Sequence, residues 1–117
     1  MSVVAAGVLF LTGILALVCI DLLRTVQAQS LAQAAGDAAA LAAAQEIAIP
    51  SGSWSPTDAA RSYAERNGAT LLSCQCEVGG KDAVVRVQVH VRLLIVGPDR
   101  TTDAWARAVV GPDAAAP

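Results

Sequence analysis

The sequence predicts an α+β protein: a long N-terminal helix, partly transmembrane, then a short second helix and a small antiparallel sheet of two to three strands. Three observations carry this expectation. Val3–Ile20 (VVAAGVLFLTGILALVCI) is an uncharged apolar run, and about 20 such residues at about 1.5 Å each cover a bilayer core of roughly 30 Å. The next stretch, Asp21–Ala48, has no proline and one glycine among Ala, Leu, Gln and Glu, so nothing stops the helix at the membrane boundary. Further on, two valine- and leucine-rich runs flank Gly79-Gly80-Lys81-Asp82, a hairpin signal. The implied organisation is a transmembrane helix over 1–20, an Ala-rich extension over 21–48, a small α+β domain over 49–110 and a disordered tail over 111–117.

In the span, Val3, Gly7, Leu11, Leu15 and Ile20 are the marker positions, and membrane lipid is the partner they imply. A cleavable secretory signal is the alternative, because Val26-Gln27-Ala28 before Gln29 has the small-residue pattern of a signal-peptidase site. Retention as an anchor is preferred. No Lys or Arg precedes the run, the run exceeds a usual signal core, and helical composition continues through the site. Arg24 alone would keep the C-terminal side cytoplasmic, a weak vote beside Asp21. These two residues, at helical spacing, are expected to pair at the interface or to offer a docking point in the membrane.

Composition narrows the function classes. A chain of 117 residues with one span has room for one small domain, which argues against an enzyme with a deep pocket. Hydrophobic residues make up 55% but aromatics only 3%, so alanine carries much of the apolar share and favours helices over large cores. The eight Lys and Arg are scattered from Arg24 to Arg107, which excludes the basic footprint of a nucleic-acid binder.

Along the extension, Leu23, Leu31, Ala34, Ala38, Leu41, Ala44 and Ala48 recur at three- and four-residue steps opposite Gln27, Gln33 and Gln45. Leu31, Ala34, Ala38 and Leu41 form the candidate seam. It serves either to pack the helix on its own domain or to contact neighbouring copies. Ile49–Pro56 (IPSGSWSP) ends the helix. Ser55-Pro56-Thr57-Asp58 then reads as a cap, a first-turn proline and a first-turn acid, and Asn67-Gly68 as a stop, giving a helix over 56–67. Trp54 and Tyr63 are expected to pack in a small core.

Strands are expected over Ala69–Val78 and Ala83–Val96. Pairing like with like sets Val78 opposite Ala83, Cys76 opposite Val85, Cys74 opposite Val87 and Leu72 opposite Val89 on one face. Ser73, Gln75, Glu77, Arg86, Gln88, His90 and Arg92 then form the wet face. Gly97–Arg100 reads as a turn, and the alternation of Trp105, Arg107 and Val109 with alanines in Thr101–Val110 fits a third strand better than a helix.

Cys74-Gln75-Cys76 is the one constellation that invites chemistry, as a candidate thiol pair. Packed structural thiols are the preferred reading, with a disulfide or a metal site as alternatives. Strand residues two apart are near the limit for bridging, so a disulfide requires a kink. His90 projects from the other face and supplies no third ligand. Cys19 reads as a small hydrophobe in the span. No acid/base pair, activated nucleophile or phosphate-cradling loop is legible, and Asp99, Asp103 and Asp113 read as solvated acids of turns and tail. No enzyme activity, cofactor or metal is expected.

Read as an ordered set, four features resemble a TadE-like protein of the Flp (tight-adherence) pilus system, in the short actinobacterial TadE/TadG-like branch. They are the apolar helix running into Gln27-Ala28-Gln29 and Ala34-Ala35-Gly36-Asp37-Ala38-Ala39-Ala40-Leu41-Ala42-Ala43-Ala44; Ala64 with Asn67-Gly68-Ala69 and Leu72-Ser73-Cys74; the valine-alternating strand; and Ala106-Arg107-Ala108 with Gly111-Pro112. The resemblance spans nearly the full length. It implies a minor pilin or pseudopilin: an inner-membrane helix with a small outer domain, partnered by pilus or secretion subunits and platform proteins, with self-association through the helix. Two features depart from the pilin pattern. Met1-Ser2 leads straight into the run, and Val3–Ile20 holds no glutamate.

Overall fold

The structure is a computed structural model of the chain and describes residues 2–50, 52–94 and 99–110. Helix α1 (Ser2–Ala48) is followed by α2 (Pro56–Arg66), β1 (Thr70–Gln75), β2 (Asp82–Arg92) and β3 (Asp99–Val109). This is the expected α+β architecture. Forty-seven residues at about 1.5 Å each make α1 roughly 70 Å long, which accounts for the 72 Å longest dimension of the molecule. The expected disordered tail, 111–117, lies outside the described residues.

Helix α2 forms where its caps predict. The Ser55 hydroxyl accepts from the Asp58 N–H at 3.1 Å, Pro56 opens the first turn, and the Asn67 N–H donates to the Ala64 carbonyl at 3.1 Å. Its buried face, Pro56, Ala59, Ala60 and Ala64, lies against α1 and β1. Trp54 and Tyr63 are corrected: both are exposed. The apolar face of α2 is complete with alanines, so Tyr63 turns outward and the Arg66 guanidinium sits 5.0 Å from its ring centroid.

The sheet is an antiparallel meander in the order β1-β2-β3. Its turn closes with the Gly80 N–H donating to the Glu77 carbonyl at 2.9 Å, and Gly79 supplies the φ of +85° that such a turn demands at its third position. The expected register is two residues out. Cys74 pairs with Val85 rather than Val87, and Gln75 with Val84. A bulge between Leu71 and Ser73 then reverses the alternation, so Leu71 faces Val87 and Leu72 is exposed. The strands are also shorter or shifted: β1 stops at Gln75, β2 stops at Arg92 instead of Val96, and Asp99 and Arg100 already belong to β3 rather than to a turn.

One face of this sheet builds the core. Ala83, Val85, Val87, Val89 and Val91 of β2 and Ala104 and Ala106 of β3 are buried against Ala28, Ala32, Ala35, Ala39 and Ala43 of α1. Small residues on the helix side let the two backbones approach closely. At Gly36 the approach is close: an added Cβ would stand 3.3 Å from the Ala106 Cβ and 3.4 Å from the Val87 Cγ2.

Candidate functional site

Two halves of one helix meet different surroundings. Below Asp21, the best 18-residue window of α1 has a mean hydropathy of 2.8 and none of it is buried. Val3, Leu11, Leu15 and Ile20 all face outward, and Gly7 has no neighbour within 4 Å of an added Cβ. A core helix of a soluble domain would hide such side chains, so this half is compatible with a single membrane span. Above Asp21, the same helix is the spine of the domain.

The junction between the halves is pinned by two contacts. Asp21, only 3% exposed, accepts the Leu94 N–H at 2.8 Å. Arg24 donates from Nη1 to the Arg92 carbonyl at 3.1 Å. The expected Asp21–Arg24 ion pair is therefore corrected, because each side chain instead binds backbone at the C-terminal end of β2. Sequence spacing showed two opposite charges one turn apart, and only the fold brings the C-terminal end of β2 within their reach.

The candidate seam takes a definite place. Leu31, Ala34 and Leu41 are exposed and Ala38 is half-buried. The stripe packs the helix on its own domain only at its margins, through Ala44 and the edge of Leu31 near Gly68; the main contact falls to Ala28, Ala32, Ala35, Ala39 and Ala43, a different face of α1. Ala44 is the one member of the stripe that is buried, and Leu23, Gln27 and Gln45 share its solvent-facing side. Of the residues that the sequence left unmarked, Gly36 had a legible signal, as the one glycine in a run of alanines.

Cys74 and Cys76 form a disulfide with Cα atoms 5.3 Å apart, which corrects the expectation of packed thiols. Two residues along a full strand would stand roughly 6.7 Å apart. Because β1 ends at Gln75, Cys76 is free of the ladder and the chain contracts into bridging range. Both residues still rest against the core, whereas His90 is exposed on the outer face. By the chain-entropy relation, closing so short a loop stabilises by only about 1.6 kcal/mol. Replacing both cysteines with serine is therefore expected to cost no more than about 1.5 kcal/mol in a thermal melt.

On the outer face, Arg86 pairs with Asp103, which also accepts from Gln88 Nε2 at 3.3 Å, and the Arg86 guanidinium lies 5.4 Å from the Trp105 ring centroid. Arg107 and Asp82 pair at 2.6 Å. Asp103 is thus a half-buried strand residue rather than a solvated turn acid; Asp113 lies outside the described residues. Each of these pairs runs across or along the β2–β3 ladder and has the character of sheet glue.

These features define an α+β domain carried on one continuous helix whose apolar N-terminal half is compatible with a single membrane span. The chain matches no protein-family model, no characterised protein and no solved structure.

Proposed function

We propose that the chain is a non-enzymatic, single-pass membrane subunit or assembly factor of a Flp/Tad-type pilus or secretion apparatus, a minor pilin or pseudopilin in shape, with its small domain outside the cytoplasm. The observation that carries this reading is the division of α1 between an unburied apolar half and a half that is packed under a sheet on one side and open on the other. A helix so divided holds its domain at the membrane and presents Leu31, Ala34 and Leu41 to copies of itself or to platform proteins. The Cys74–Cys76 disulfide supports an extracytoplasmic domain, since such bonds persist in oxidising compartments. The single Arg24, held on the Arg92 carbonyl, is a weak counterweight.

Release of a soluble effector by cleavage after Ala28 is the competing reading. Such a cut would discard Asp21, Arg24 and the buried Ala28, and with them the bonds that hold the end of β2.

Single cysteines introduced along Gln27–Gln45 test the proposal in membranes of cells that express the whole assembly system. Crosslinks to a second copy or to another subunit are expected from positions 31, 34 and 41 and not from 32, 39 and 43. Recovery of a soluble protein that begins at Gln29 would overturn the anchored reading in favour of the released one.

A further inference from the structure

Between α1 and the C-terminal end of β2 runs a groove of about 460 Å³ lined by Arg24, Gln27, Leu31, His90 and Arg92 among others. We infer that this groove takes the phosphate of an anionic phospholipid headgroup, held by the Arg24 and Arg92 guanidinia. The inference rests on the anchored reading above and adds to it a specific lipid contact.

Depth along the helix is the first argument. Arg24 lies four residues beyond Ile20, about 6 Å along the axis, and the headgroup layer on each side of the hydrocarbon is about 5–8 Å deep. Arg24 therefore stands at the level of the phosphates. Its bond to the Arg92 carbonyl holds it against β2 and uses one of the five N–H donors of a guanidinium. Among the described residues neither Arg24 nor Arg92 forms an ion pair. Asp21, the acid one turn below, is occupied by the Leu94 N–H. Two guanidinia that line one groove and, among the described residues, have no carboxylate partner suit a phosphodiester, to which arginine donates in a bidentate fork.

Apolar surface next to the groove distinguishes a lipid from a soluble anion. Outside the groove lining, Leu22 and Leu23, next to Asp21 and Arg24 in the chain, and Leu94, whose N–H binds Asp21, are 61%, 60% and 54% exposed, where the domain meets the apolar half of α1. A phospholipid matches both parts, with acyl chains along the leucines and phosphate at the arginines. Inorganic phosphate would leave the leucines in water.

The test uses the full chain in bilayer nanodiscs made from equal amounts of phosphatidylglycerol and phosphatidylcholine. Lipid that stays on the protein through gentle delipidation is identified by native mass spectrometry. Retained lipid is expected to be enriched in phosphatidylglycerol, on the order of fivefold per arginine contact. An Arg24→Gln/Arg92→Gln variant is expected to return to the bulk ratio, and Arg24→Lys/Arg92→Lys to keep most of the enrichment. Absence of enrichment in the parent chain, or enrichment that survives the glutamine variant, would overturn the inference. So would displacement of the lipid by excess inorganic phosphate, which would identify a soluble-anion site. Insertion of each variant is read separately by resistance to alkaline extraction. A parent chain that is extracted by alkali refutes the anchor itself, whereas a chain that inserts without enrichment refutes only the lipid site.

Discussion

Replacing Gly36 with leucine is expected to unfold the helix–sheet domain or to destabilise it by about 3 kcal/mol or more, the upper end of what overpacking costs. A Cβ at this position already meets Ala106 at 3.3 Å and Val87 at 3.4 Å, and leucine must place three further carbons in the same gap. Val87 is fully buried in the central strand and Ala106 stands on β3, so relief requires the helix to move away from two strands together. Gly36→Ala is the informative control. Alanine gains about 1 kcal/mol of helix propensity against a contact that is short by only a few tenths of an ångström, so the expected net change is near zero. Ala34→Leu, on the open side of the same helix, is expected to stay within about 0.5 kcal/mol. Thermal melts followed by circular dichroism in detergent, read against proteolysis of the domain, check all three. A mild Gly36→Leu would mean that the helix–sheet interface is looser than its distances imply.

The second large effect is expected at Asp21. Its carboxylate is buried and accepts the Leu94 N–H at 2.8 Å, a bond in which the acceptor is ionisable. Asp21→Ala removes the acceptor and leaves a backbone donor unmatched just beyond the end of β2, at a cost of about 1.5–3 kcal/mol. Asp21→Asn keeps a carbonyl oxygen and is expected to lose roughly half as much. Hydrogen exchange at the Leu94 amide provides the local measurement. Protection should fall strongly in Asp21→Ala while amides of α2 and β1 keep theirs, because the bond ties down only the end of β2. Equal loss of protection across the domain would show that Asp21 supports the whole fold rather than its junction.

Much of this architecture was legible before folding, and for local reasons. The unbroken helix from Ser2 to Ala48 follows from a run without proline, the end of the helix from Ile49–Pro56, and α2 from the Ser55-Pro56 cap and the Asn67-Gly68 stop. Valine alternation placed Val85, Val87 and Val89 on the buried face and Arg86, Gln88 and His90 on the other, which the strand confirms. Those signals reside in backbone propensity and in the two-residue period of a strand, so neighbours in sequence suffice to express them.

What failed were judgements of which particular residues meet across segments. The stripe through Leu31, Ala34 and Leu41 is as periodic as the one through Ala28, Ala32, Ala35, Ala39 and Ala43, and periodicity left open whether the first packs on its own domain or on neighbouring copies. The sheet selects the second, because close approach at Gly36 admits only small residues. The register is already two residues out at Cys74–Val85 and Gln75–Val84, beside the Glu77–Gly80 turn, and the Leu71–Ser73 bulge shifts it by one residue more; like-with-like pairing detects neither. Cys74 and Cys76 bridge because β1 ends between them, and strand ends are set by where the partner strand stops offering hydrogen bonds.

By itself, then, the sequence determined the order and type of the elements, the apolar N-terminal half of α1 and the two-faced sheet, all properties of short-range pattern. Tertiary structure alone decided which face of α1 is covered and which stays open, where Asp21 and Arg24 find their partners, and how β1 sits against β2. Those outcomes depend on steric fit and hydrogen-bond partners between segments up to 73 residues apart, and a local period carries no record of them.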